Sequence, residues 1–108
     1  MPRRKRPKLE WTETAERNLE LIRAYIAQDS PRNAERFIGR IRKAVKELSR
    51  FSHTGELLTE DERGQLREFY VNSYRVIFRV GENTIRIITI IHGARDFHLG
   101  GDTLGDIL

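Results

Sequence analysis

The chain contains no cysteine in its 108 residues. Disulfides, thiolate nucleophiles and cysteine-ligated metals are therefore excluded, and the composition suits a reducing cytoplasm. Long hydrophobic runs are also missing. No apolar stretch approaches the roughly 20 residues that a membrane-spanning helix requires, and the N-terminus shows no signal-peptide core, so the expectation is a soluble intracellular protein. No serine sits in a Gly-x-Ser-x-Gly elbow, and no repeat or low-complexity segment is visible. His92 and His98, with Asp96 between them, make a thin metal-ligand set that a strand-end hydrogen bond explains as well. No metal and no cofactor is expected.

What remains is a mixture of 38% apolar and 33% charged residues, enough for one small core in a single domain. The formal net charge of +4 is unevenly spread. Residues 1–8 hold five cations (Arg3, Arg4, Lys5, Arg6 and Lys8) and no acid, while the remainder has fifteen Lys and Arg against sixteen Asp and Glu. The first eight residues read as a basic disordered tail, either a nucleic-acid arm or a solubilising extension. The near-neutral remainder is not a general phosphate-backbone binder, so any nucleic-acid role has to rest on a local patch.

Periodicity gives two helices. Ala15, Leu19, Ile22 and Ile26, widened by Leu21 and Tyr25, predict an amphipathic helix over 14–28, with Thr12 or Thr14 as its cap and Glu13 and Glu16 near its positive end. Asp29-Ser30-Pro31 ends it and starts the next, Ser30 as N-cap and Pro31 as first helical residue. Ala34, Phe37, Ile38, Ile41, Val45, Leu48 and Phe51 hold one face of the second helix. Arg32, Glu35, Arg36, Arg40, Arg42, Lys43, Lys46 and Glu47 occupy most of the rest. Such a short connection makes an antiparallel hairpin.

Leu9-Glu10-Trp11 suits an edge strand, and residues 52–65 read as a loop. Three strand-like runs follow, at 67–71, 74–80 and 85–91. Tyr74, Val76, Phe78 and Val80 alternate with Arg75, Ile77 and Arg79, the period of a strand with one face on a core. The run Ile85–Ile91 is apolar almost throughout and is expected to be central. Asn72-Ser73 and Gly81-Glu82-Asn83 suit hairpin turns. The fold class is therefore α+β: a strand, a helical hairpin and three strands, with the hairpin on one face of a small, largely antiparallel sheet.

Each of these strands carries arginine among apolar residues: Arg67, Arg75, Arg79, Arg86 and then Arg95. Metal-free RNA cleavage needs a base for the 2′-hydroxyl, cations for the phosphorane and an acid for the leaving group. The arginines could supply the cations, Arg75 and Arg79 sharing a face with Arg67 close by. The plainer alternative pairs them with Glu68, Glu82 or helix carboxylates at the sheet surface.

Trp11, Ala15-x3-Leu19-x2-Ile22-x2-Tyr25-Ile26, Ala34-x2-Phe37-Ile38-x2-Ile41, Arg67-Glu68-Phe69, Tyr74-Arg75-Val76-Ile77-Phe78-Arg79-Val80 and Ile91-His92-Gly93-Ala94-Arg95-Asp96 together resemble the ParE/RelE superfamily of type II toxin–antitoxin toxins. The resemblance spans residues 9–97 as one domain, leaving 98–108 as a flexible tail. It implies a β-α-α-β-β-β fold and one of two activities: inhibition of DNA gyrase in the ParE-like branch, or ribosome-dependent mRNA cleavage in the RelE-like branch. A degenerate toxin that only binds its antitoxin is a third outcome. Arg75 and Arg95 match the family's arginines. Leu66 and Glu68 stand where the ribonuclease branch has basic residues, and no tyrosine follows Arg95, where the chain reads Phe97 and Gly100-Gly101. The resemblance thus implies a ParE-like, non-enzymatic toxin whose target contacts involve Arg67, Arg75, Arg79 and Arg95. If the protein is instead a ribonuclease, Arg75, Arg95 and His92 are its catalytic set. A ParD-like antitoxin is the implied partner, with Leu21 and Tyr25 as candidates for its binding.

Overall fold

The computed structural model describes residues 6–50, 55–61 and 63–93. Strand β1 (Lys8–Trp11) leads into helices α1 (Glu13–Ala27) and α2 (Pro31–Glu47). Strands β2 (Glu56–Leu57), β3 (Leu66–Val71), β4 (Tyr74–Val80) and β5 (Thr84–His92) follow. They form one sheet in the order β1-β5-β4-β3-β2. Only the β1–β5 pair is parallel, so the sheet is mixed but largely antiparallel, as expected.

The helices begin where their chemistry places them. The Thr12 hydroxyl accepts the Ala15 N–H at 3.0 Å, and Ser30 accepts the Asn33 N–H at 3.2 Å ahead of Pro31. Two ion pairs, Arg23–Glu35 and Arg42–Glu16, cross between the helices. As one partner's number rises the other's falls, which is the mark of an antiparallel hairpin. Ala15, Leu19, Ile22, Ile38, Ile41 and Val45 are buried against the sheet's Val76, Phe78, Ile85, Ile87 and Ile90.

Strand β4 is the middle of the sheet, and Tyr74 through Phe78 are all buried. Strand β5, expected to be central, is interior but second from the edge, because the N-terminal strand closes that side. The segment read as a loop contains the short strand β2, too brief to leave a periodic signature; its pairing with Arg67 and Glu68 defines it. Lys8, assigned above to the tail, already belongs to β1 and donates its N–H to Asn83 O at 2.8 Å.

Strand β5 carries a bulge. Ile77 pairs with Thr89 but Phe78 pairs with Ile87, leaving Ile88 over. Polar groups around α1 satisfy the disturbed ladder. Thr12 Oγ1 donates to Ile88 O at 2.7 Å, while buried Asn18 Oδ1 accepts from Thr89 Oγ1 at 2.7 Å and Ile90 N at 2.8 Å. A helix cap and one buried amide therefore fix α1 to the sheet at a single register. Among the described residues, no helix is long and apolar enough to cross a membrane.

Candidate functional site

The strand register sorts the arginines. Opposed residues in a ladder share a face. Arg67 opposes Phe78, so it lies on the face of Tyr74, Val76 and Phe78, where Phe37 of α2 meets the Tyr74 ring at 5.5 Å between centroids. Arg75, Arg79 and Arg86 lie on the other face, Arg79 directly opposite Arg86. Arg75 and Arg79 do share a face, but Arg67 does not join them. The alternation along each strand was legible; which residue faces which depends on the pairing.

Arg75 is not presented to solvent. It is 4% exposed and held by two carboxylates. Its Nη1 and Nη2 donate to Glu60 Oε2 and Oε1 at 2.9 and 2.8 Å, and its Nε donates to Glu68 Oε2 at 2.9 Å. Nη2 also donates to Glu68 Oε2. Burial acts to pull the guanidinium's pKa down, but the hydrogen bonds and charges of Glu60 and Glu68 outweigh it, and the net shift is upward. One cation between two carboxylates leaves a local excess of negative charge. That sign is wrong for a site meant to hold a phosphorane. Of the two partners, Glu68 was anticipated. Glu60 was not, since it sits in an acidic turn with no periodicity to mark it.

The remaining candidates are dispersed. Arg79 Nη2 donates to Gln65 Oε1 at 2.7 Å, Arg86 pairs with Glu10 at 3.1 Å, and Arg67 Nη2 donates to Gly55 O at 3.0 Å. Arg67 Nε is buried with no hydrogen-bond partner. Arg67 and Arg79 both line an open cleft of about 570 Å³, together with Leu57, Gln65 and Val80. Gly55 is obligatory where it stands: its φ is +89°, and a Cβ there would overlap the Glu68 carbonyl oxygen.

His92 lies on the helix-facing side opposite Tyr74, and the two rings meet edge to face at 5.7 Å. Burial raises the Tyr74 pKa, and the neighbouring Tyr25 adds to the shift. The glycine of the His-Gly-Ala-Arg motif has a steric reason. Gly93 donates its N–H to Ser73 O at 2.6 Å, and an added Cβ would lie 2.7 Å from the Tyr70 ring. Tyr25 is 51% exposed, whereas Leu21 is partly buried and packs on the core. Arg95, His53, His98, most of the basic N-terminal segment and the segment 98–108 lie outside the described residues. Among the described residues, no group of three or more His, Asp or Glu is arranged to hold a metal ion.

The turn that delivers Glu60 is organised by its neighbour. Asp61 accepts the N–H groups of Leu66 at 2.8 Å, Gln65 at 2.6 Å and Arg63 at 3.2 Å. The Leu66 bond is the main cause that pulls its pKa below the ordinary 3.8; desolvation opposes this, and the Gln65 and Arg63 bonds add to it. A depressed carboxylate contributes stability above its unfolded pKa and loses it as pH falls through the folded value. Asp61→Ala is therefore expected to be less stable than the parent at pH 7 and to converge with it in acid. Urea midpoints measured from pH 7 downward would show this, and a gap independent of pH would contradict it.

Comparison with known proteins adds the family. The profile described as ParE toxin of type II toxin–antitoxin system, parDE, matches residues 9–97. Over 86 residues the chain is 35% identical to Toxin RelE2 of Caulobacter vibrioides, covering 79% of this chain and 93% of that protein. A solved chain of the chromosomal ParDE TA system from P. aeruginosa is similar with a TM-score of 0.69 at 24% identity, covering 82% of this chain and 98% of its own. A chain of the toxin–antitoxin complex RelBE2 from Mycobacterium tuberculosis is similar with a TM-score of 0.57 at 21% identity, covering 85% and 97%. At these identities the two structures speak for the fold.

Proposed function

The chain belongs to the ParE/RelE superfamily of type II toxins, and from that premise we propose that it inhibits DNA gyrase by binding and is neutralised by a ParD-like antitoxin. The observation that carries this reading is the closure of Arg75 by Glu60 and Glu68. A nuclease needs that cation free to meet a phosphate, whereas an inhibitor that acts by occupying a surface can use the arginine to stiffen its sheet. Leu66 and Glu68, at positions where basic side chains would serve cleavage, point the same way. Target contacts would then fall to Arg67, Arg79 and Arg95, with Arg75 holding the scaffold beneath them. The setting is the cytoplasm.

Antitoxin binding has two surfaces to use. Exposed Tyr25, with Leu21 beside it on α1, offers an apolar anchor for an amphipathic helix. Among the described residues β2 pairs with Arg67 and Glu68 alone, and an added strand could pair with β3 beyond them, from Phe69 to Val71. An open cleft of about 590 Å³ lies there, lined by Gly55, Glu56, Glu68, Phe69 and Tyr70.

Ribosome-dependent mRNA cleavage is the second reading. It draws support from the relative named Toxin RelE2 and from His92 as a proton shuttle at the strand end. Purified protein assayed for gyrase supercoiling and for cleavage of translated mRNA separates the two. Inhibited supercoiling without codon-linked cleavage is expected. Cleavage without an effect on supercoiling would overturn the gyrase reading.

A further inference from the structure

Helix α2 carries the densest run of cations without a carboxylate partner among the described residues. Arg32, Arg36, Arg40, Lys43 and Lys46 are all exposed. Among the described residues none of the five is in an ion pair, and Arg40 donates to the neutral Asn72 amide at 3.2 Å. The acids near this helix are engaged elsewhere. Glu35 binds Arg23 and Glu16 binds Arg42, both along the seam with α1, so Glu47 is the single acid left on α2. At about 100° per residue, Arg32, Arg36, Arg40 and Lys43 fall within a quarter-turn of one another, and they extend over about 17 Å of helix.

The face is also bare in a telling way. Gly39 borders the stripe, about 20° outside it by the same count, and a Cβ placed there would meet nothing within 4 Å. Packing therefore does not demand glycine, although glycine inside a helix costs about 1 kcal/mol relative to alanine. A smooth gap beside the arginines lets a rigid surface approach the helix backbone. No large exposed hydrophobic residue lies on α2; among the described residues the exposed ones are Tyr25, Leu57, Tyr70 and Val80. A protein partner needs apolar anchors at the centre of its footprint, and this face supplies none. A polyanion does not need them. Arginine forks match phosphate oxygens, and cations about 6 Å apart along the helix can reach alternate phosphates of a strand that rises about 3.4 Å per nucleotide.

We propose that the outward face of α2, centred on Arg36, Arg40 and Lys43, binds the sugar–phosphate backbone of nucleic acid without reading its sequence. The proposal does not depend on gyrase being the target, and it moves the nucleic-acid contact from the arginine-bearing sheet to the helix behind it. Near-neutral charge over the folded remainder is no obstacle, because backbone binding follows the local patch.

The test uses the full-length chain and fluorescence anisotropy with a labelled 20-base-pair DNA duplex and a labelled 20-nucleotide single-stranded RNA, each across a salt series. The variant R36Q/K43Q removes two cations from the stripe, and R17Q/R63Q removes the same charge from α1 and the β2–β3 turn. Unfolding midpoints of both variants report that the fold is kept. R36Q/K43Q is expected to bind at least tenfold more weakly at 100 mM salt. Its slope of log affinity against log salt should fall by about 1.8 on the duplex or about 1.4 on the single strand, with R17Q/R63Q close to the parent. Loss on the duplex alone or on the RNA alone identifies the form recognised. Equal losses in both variants, unchanged binding by R36Q/K43Q, or no binding by the parent at low salt would overturn the proposal.

Discussion

Arg75→Ala is expected to lower the free energy of unfolding by about 3 kcal/mol, out of the roughly 5–15 kcal/mol that a domain of this size possesses. Mutation removes the cation that Glu60 and Glu68 share, and their side chains are only 22% and 17% exposed. Two carboxylates are then left close together with reduced hydration, and mutual repulsion adds to the cost of their burial. Because both retain some access to water, the loss falls at the lower end of what breaking a buried pair costs. The origin of the effect is testable within one series. A triple variant, Arg75→Met with Glu60→Gln and Glu68→Gln, removes all the charge and should regain most of the loss, since neutral groups need no counter-ion. Urea unfolding at pH 7 reads both values. If the triple variant were as unstable as Arg75→Ala, the arginine's packing rather than its charge would be what matters.

Phe78→Ala should cost about 4 kcal/mol, near the centre of the range for large-to-small core changes at aromatic positions. Phe78 is fully buried on the middle strand, against the Phe69 ring at 5.9 Å between centroids. A Cβ built on Gly55 would lie 3.4 Å from its ring, so the chain end that enters β2 rests on it as well. Its partner is Ile87, beside the bulge, where the ladder is already held by Thr12 and Asn18 and has little freedom to collapse into a cavity. The denaturant midpoint should fall with the slope of the transition unchanged. A loss below about 1.5 kcal/mol would mean that the site closes around the missing ring.

Much of the fold was legible in the residues. The caps at Thr12 and Ser30, the stripe from Ala15 to Ile26 and the alternation from Tyr74 to Val80 are local patterns, and local patterns survive into the structure because helix and strand geometry impose their periods on any amphipathic segment. Strand β2 was not legible, since two residues carry no period. The bulge at Ile88 was equally hidden. An almost continuous apolar run looks the same in either register, and it is the hydroxyl of Thr12 and the amide of Asn18, 76 and 72 residues away from their partners, that select one.

The candidate site divides in the same manner. By itself the sequence determined that arginines would stand among apolar strand residues, that α2 would carry basic side chains opposite its core stripe, and which family the motifs resemble. Only the tertiary structure decided which cations are engaged. Ion pairing depends on distance, and Glu60 is 15 residues from Arg75 along the chain but 2.8 Å from it in space. That pairing consumes the sheet's most buried cation. The helix seam takes up Glu16 and Glu35, and Arg36 and Lys43 remain charged and exposed on the outer face of α2, with no counter-ion among the described residues.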